Sequence, residues 1–391
     1  MDSPSSRWSV ITYLFSTFVF WTALYVYIPV LAPYANHLGG SMTVVGLVVA
    51  SYGFMQLVFR IPLGIWSDRI GRRKPFLVAS LVILAVSTLG LAISPTAEWM
   101  IAARALGGLA ACGWVVWSVM YAGFFAPDRA TAAMSHMTMC SAAGQMASTY
   151  AGGWIAEAFG WRMPFYAGAG LALLSLLSLL PVPDRVADRP RSLTVERIKS
   201  IGLTSSLLTV SLVAALSQYA AFITIYGFTP VYATEIGATK SQLGTLILIG
   251  MLWQTVASFL CGVWCARGVG ERRLVVGGFL LTGLGTALIP YTGTVSALYV
   301  AQAVSGVGRG FIQPVLMGLA VQSVAQDERG TAMGVFQAVY AAGMFAGPAV
   351  GGLLGDWIGM AGIFLSTAAV CGASAAAAAF CLRGCPERRA K

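Results

Sequence analysis

The sequence predicts an all-α membrane protein with 12 transmembrane helices in two pseudo-symmetric six-helix bundles. Composition, the placement of positive charge and an internal repeat carry that prediction. Of 391 residues, 58% are hydrophobic and 10% charged, with a mean hydropathy of +0.78. Soluble domains carry about 25% charged residues, and disorder needs low hydrophobicity with high charge. Twelve spans consume roughly 240 residues and leave about a dozen per connection, so little chain remains for an extramembrane domain.

Taken in order, the apolar runs place spans near 8–34, 43–66, 75–95, 97–124, 132–158, 163–182, 201–233, 242–265, 273–293, 295–322, 331–357 and 361–382. The first contains Pro29 and Pro33 and is too long for a signal h-region, so it reads as a retained span. Residues 183–200 are the one long charged stretch. They read as a cytoplasmic linker between an N-terminal bundle, 1–182, and a C-terminal bundle, 201–391. Nineteen of the 24 Lys and Arg residues then fall on one side, in segments 1–7, 69–74, 129, 185–199, 267–273, 329 and 383–391. Only Arg162 and Lys240 fall on the other, while Arg60, Arg104 and Arg309 lie within spans. Positive loops stay cytoplasmic, so both termini are expected there, in a multi-pass plasma membrane protein. The formal charge of +10 therefore reports topology and not a nucleic-acid partner, since no basic run is long.

Seven cysteines, mostly inside apolar runs, do not describe a disulfide framework. With only His37 and His136 beside them, a four-ligand metal set is not expected. No nucleotide loop or nucleophile–His–acid set is recognisable, so neither a cofactor nor enzymatic activity is expected.

The repeat comes from shifting the chain by 198, which aligns Trp21 with Tyr219, Gly39 with Gly237, Gly46 with Gly244 and Gln56 with Gln254. A shift of 199 then aligns Gly107 with Gly306, Gly144 with Gly343, Gly152-Gly153 with Gly351-Gly352, and Glu157 with Asp356. Two halves of six spans in one orientation imply an axis along the membrane normal.

Between spans 2 and 3 stands Gly64-Ile-Trp-Ser-Asp68-Arg69-Ile-Gly71-Arg72-Arg73-Lys74. A tight turn explains the glycines and topology the cations, but neither explains Asp68. This stretch resembles the signature loop of the major facilitator superfamily, G-x-x-x-D-R-x-G-R-[RK]-[RK], at every defining position. Its counterpart, Gly262 to Arg273, is degraded, with Ala266 in place of the acid. Arg104-Ala-Leu-Gly-Gly108 resembles the superfamily's R-x-x-x-G motif. Gly343-Met-Phe-Ala-Gly347-Pro348-Ala-Val-Gly351-Gly352, in span 11, resembles a motif that drug–proton antiporters carry in span 5. Here span 5 has Ser148-Thr149 in place of Gly-Pro. Small residues at these positions also let helices pack closely. The closest resemblance is to the bacterial twelve-span efflux-like branch, which implies an inner-membrane location.

Several expectations follow. Asp68 is placed to dock on the N-terminus of span 11, where a helix carries about half a positive charge. Gly64, Arg69, Gly71, Arg72 and Asp128 complete this cytoplasmic latch, a role the resemblance also implies. Each cation inside a span costs about 2.5–3.5 kcal/mol on insertion scales and calls for a partner, water or a function. Arg309, near the middle of span 10 without an acidic neighbour, is the best candidate for an anionic group on a substrate. All fourteen acids fall in loops or at helix ends, so no midplane carboxylate is expected as a proton carrier. Cationic drugs are therefore disfavoured, and the coupling ion stays open. The resemblance implies a central path lined by spans 1, 4, 7 and 10 with help from 2, 5, 8 and 11. Its candidates are Trp21, Tyr25, Gln56, Arg104, Trp114, Trp117, Gln145, Tyr219, Tyr226, Gln254, Arg309 and Gln313. Such an aromatic, amide-bearing cavity suits a small amphipathic organic solute, neutral or anionic. The expected function is monomeric secondary transport by rocker-switch alternating access, in the direction of efflux. Proton-linked uptake of a sugar or organic acid, lipid flipping and a non-transporting receptor are the alternatives.

Overall fold

Apolar stretches of this length can satisfy their backbone groups in lipid only by hydrogen bonding within the segment, and the chain is accordingly helical. In the computed structural model, residues 7–125, 130–184, 200–322, 324 and 328–382 are described, and none of these forms a strand. The first half contains α1 (Arg7–His37), α2 (Met42–Ile70), α3 (Lys74–Ala92), α4 (Ala97–Ala122), α5 (Ala130–Phe159) and α6 (Met163–Leu179). The second contains α7 (Ser205–Glu235), α8 (Lys240–Ala266), α9 (Glu271–Leu288), α10 (Val295–Gln322) and the tract Arg329–Cys381. That tract leaves helical geometry at Gly359 (φ 74°, ψ 177°), and its arms before and after this residue are α11 and α12. The sequence separates spans 11 and 12 by a short connection, whereas here one glycine makes the whole break.

Nine helical stretches among the described residues are long and apolar enough to cross a membrane, with Arg329–Cys381 counted as one. Large apolar side chains cover their outer surface: Phe259 is 74% exposed and Leu177 64%. Segment 185–199, most of the expected linker, lies outside the described residues.

The repeat reaches down to single turns. Ser41 caps α2 by accepting from the Val44 amide, and its repeat mate Thr239 caps α8 in a reciprocal box with Gln242. Gly39 and Gly237 both take positive φ, and so do Gly160 and Gly359. Interruptions match as well. α1 steps at Val26-Tyr27 just before Pro29, and α7 widens into a π-turn, Thr224–Phe228, just before Pro230. A proline lacks the amide for the preceding turn, which accounts for both positions.

The face carrying Arg72 and Arg73 is termed the basic face, and the opposite one the far face. Near the far face the two halves share one apolar core, in which Tyr27, Leu31 and Val49 cluster with Phe228, Val231 and Ile247. Toward the basic face the second half has a core of its own around Phe279, Ile312 and Phe336. Glycines set the approach across the junction. A Cβ on Gly153 of α5 would lie 2.7 Å from the Lys240 carbonyl and 2.8 Å from the Gly244 amide of α8. On the symmetric pair, a Cβ on Gly46 of α2 would strike the Pro348 carbonyl and come within 3.0 Å of Gly352 Cα on α11. Gly343, Gly347 and Gly351 form a second row on α11 that lies against α7, touching Ala215, Tyr219 and Phe228.

Gly153→Leu should therefore wedge α5 from α8. The expected outcome is a lower unfolding temperature and a longer spin-label distance between the far-face ends of these helices. An unchanged distance would show that the glycines do not set the approach.

Candidate functional site

A cavity of about 210 Å³ lies at the junction of the halves. The first half contributes Trp21 and Tyr25 from α1, Tyr52, Gln56 and Arg60 from α2, and Trp114 from α4. The second contributes Gln218, Phe222 and Tyr226 from α7, Gln254 from α8, Arg309 and Gln313 from α10, and Gln337 and Tyr340 from α11. Trp21 and Trp114 meet edge to face with ring centroids 5.0 Å apart. Toward the far face the cavity narrows to a void of about 10 Å³, roofed by Tyr25, Tyr52, Phe222 and Tyr226. Tyr25 and Tyr226, one from each half, stand 6.3 Å apart, and Tyr52 stacks on Phe222 at the same separation. Both interruptions serve this roof: Tyr25 ends the first segment of α1, and Tyr226 sits inside the π-turn of α7.

Polar chemistry in the cavity is organised by the symmetric glutamines. Arg60 donates to Gln337 Oε1 at 2.6 Å and to Gln56 Oε1, spanning the junction. Arg309 Nε lies 3.4 Å from Gln254 Oε1. Both guanidinium groups are buried, and none of the described residues that line the cavity is acidic.

Eight of the twelve cavity residues expected from sequence come together here: Trp21, Tyr25, Gln56, Trp114, Tyr226, Gln254, Arg309 and Gln313. Four stand apart. Arg104 reaches only the narrow void, donating to Tyr27 Oη at 2.6 Å with its guanidinium over the Tyr52 ring at 4.2 Å. Trp117 is fully buried inside the first half, stacked on Phe20 and 5.2 Å from the Tyr13 ring, although it shares the segment Trp114–Ala122 with Trp114. Gln145 lies on α5 outside the lining, and its carbonyl accepts from the Ser148 and Thr149 hydroxyls. Tyr219 backs onto Gly347. Arg60 and Tyr52 were missed, although Arg60 follows Gln56 by four residues and so shares its helix face.

The far face carries a pair of charge-assisted caps. Glu157, at the end of α5, accepts from the Lys240 amide at 2.7 Å at the start of α8. Asp356, at the end of α11, accepts from the Met42 and Thr43 amides at 2.9 and 3.0 Å at the start of α2. Each carboxylate thus satisfies orphan amides at a helix start in the opposite half, where the helix dipole favours negative charge. Lys240 adds its ammonium over the Trp161 ring, 4.7 Å from the centroid. The sequence aligned Glu157 with Asp356 but gave these acids no role beyond bounding the spans.

A family model described as "Major Facilitator Superfamily" matches residues 13–235 and 207–391. The chain belongs to the major facilitator superfamily. Among its relatives is "Multidrug resistance protein 1" of Bacillus subtilis, 26% identical over 355 residues and 88% of each chain. Another is "Probable sugar efflux transporter" of Mannheimia succiniciproducens, 24% identical over 361 residues, 90% of this chain and 88% of that one. Among solved structures, a point mutant of the nucleoside transporter NupG superposes with a TM-score of 0.81 at 15% identity, covering 96% of this chain and all of that one.

The superfamily's signature loop adopts a local arrangement in this conformation. Gly71 ends α2 in the left-handed region (φ 69°), with its amide on the Ser67 carbonyl. Asp68, in the last turn of α2, pairs with Arg73 at 3.2 Å. Arg69 and Arg72 are exposed, Gly64 has open space on all but one side, and Asp128 lies outside the described residues. At the same face Asp184 accepts from the Arg73 and Lys74 amides, both at 3.2 Å, and so caps the start of α3 within the first half.

Removing both far-face caps in an E157Q/D356N variant should release that closure. Expected is faster labelling of a cysteine introduced at Tyr25 by a membrane-impermeant maleimide added from the far face, with each single variant intermediate. Equal labelling in all four proteins would assign the carboxylates no part in closure.

Proposed function

We propose that this protein is a secondary transporter that exports a small amphipathic organic solute, neutral or anionic, by alternating access, as a monomer in a bacterial inner membrane. In this reading the chain crosses 12 times, as bundles 1–182 and 201–391 joined by the 183–200 linker, with both termini cytoplasmic. The basic face is then cytoplasmic, since the spans read from the sequence assign nineteen of the 24 cations to that side.

The observation that carries the proposal is the cavity itself: both halves line it, and both close it on one face through equivalent helix pairs. A site at the junction of two repeats, sealed on one side only by contacts between them, opens to that side when the repeats rock. The caps at Glu157 and Asp356 hold the far, periplasmic face shut in this conformation. In the opposite state the loop of Gly64, Asp68, Gly71 and Arg72, with Asp128, takes the corresponding role at the cytoplasmic face. Among the relatives, the name of the Mannheimia succiniciproducens protein supports efflux. An enzymatic reading has no constellation to rest on.

A disulfide across the far face tests the cycle. In a cysteine-free background, E157C/K240C should cross-link under oxidation, block counterflow in proteoliposomes and recover on reduction. Full counterflow by the cross-linked protein would overturn alternating access at this junction.

A further inference from the structure

The buried polar atoms left without partners in this cavity are of one chemical kind. They are Trp21 Nε1, Gln56 Nε2, Arg60 Nε, and both terminal nitrogens of Arg309. All five are hydrogen-bond donors. The orientation of the Gln56 amide is fixed, because its oxygen already accepts from Arg60. Buried donors go unpaired only at a cost, and natural interiors leave few of them. The four residues that carry them line the cavity, so its walls hold unused donors that a small movement could turn toward an acceptor-rich ligand.

Charge sharpens the point. Arg60 and Arg309 are 5% and 4% exposed, and their partners are neutral amides. Arg104, outside this cavity, is provided for in part: a tyrosine hydroxyl accepts from it and two aromatic rings cover it, while its Nε is left without a partner. Both terminal nitrogens of Arg309 are left without partners, and the absence of a side chain at Gly250, whose Cβ would lie 3.3 Å from Nη2, leaves its fork room. A planar guanidinium fork matches two carboxylate oxygens. Around these donors the walls are flat and aromatic.

We propose that the solute is an amphipathic organic anion, a carboxylate on an aromatic or similarly flat body, with its acid oxygens held by Arg309 and Arg60 and its body lying against Trp21, Trp114 and Tyr226. This rests on the cavity being the transport site. The two arginines come from opposite halves, so one carboxylate taken between them ties the halves together through the substrate itself. Charge complementarity is then the main selectivity device: a cationic amphiphile of equal size meets two fixed positive charges and no compensating acid.

The test compares radiolabelled benzoate and indoleacetate with benzamide, indoleacetamide and tetraphenylphosphonium in counterflow, alongside quenching of tryptophan fluorescence by each probe in detergent. Both acids are expected to exchange and to bind, the amides weakly and the phosphonium not at all. Arg309→Gln should weaken acid binding roughly thirtyfold or more, as loss of a buried hydrogen-bonded charge partner does. It should leave amide binding within about twofold, and Arg309→Lys should restore part of the acid affinity. Unfolding temperatures of the variants separate lost binding from lost folding, and Arg60→Gln provides a second, independent variant. Counterflow of the phosphonium or the amides in preference to the acids would overturn the anion assignment while leaving the transporter reading intact. Binding of the acids without counterflow of any probe would instead sink the transporter reading alone.

Discussion

The structure depends on how closely two helical bundles can approach when neither gains from the hydrophobic effect by doing so. In lipid, apolar side chains are as well solvated outside as inside, and association rests on van der Waals packing and on polar contacts. This chain supplies the first with glycines at Gly46, Gly153, Gly244 and Gly352, which bring backbones together, and the second with Glu157 and Asp356. Both devices sit on the far face and both appear twice, once per repeat. The narrow roof, the shared core and the cavity beneath it are consequences of that junction.

Much of this was legible in the sequence. Hydropathy and the cation asymmetry report the environment of whole segments, so helix positions came out within a few residues. The offset of 198 to 199 exposed the repeat, and with it Gln56 and Gln254, which turn out to hold the two cavity arginines. The rest was hidden for identifiable reasons. Trp117 shares a helical segment with Trp114, yet its ring is taken up by Tyr13 and Phe20 of α1, packing partners that a helical wheel does not show. Arg104 was grouped with the cavity on a motif, yet its surroundings are the hydroxyl and rings of tyrosines on other helices, which sequence spacing does not reveal. Asp68 stood out as an acid that neither the turn nor the topology explains, and the structure pairs it with Arg73, a partner that spacing along the signature loop leaves open.

The placement of charge follows the same economy. Among the described residues, acids lie at helix ends, and the interior holds cations whose partners are amides and aromatic rings. A guanidinium keeps its charge under physiological conditions. An interior built from it carries a fixed positive potential, whereas a buried carboxylate could shed its charge by taking a proton.

The seams in α1 and α7 have a mechanical meaning. Each separates a long inner segment from a short outer one, Ile28–His37 and Thr229–Glu235, with a roof tyrosine at or within the joint. In an α-helix, one residue corresponds to about 100° of rotation. Rewinding the π-turn by a single residue would therefore swing the Tyr226 ring through roughly a quarter-turn while the bundle around it stays still. The lid over the cavity is geared separately from the walls.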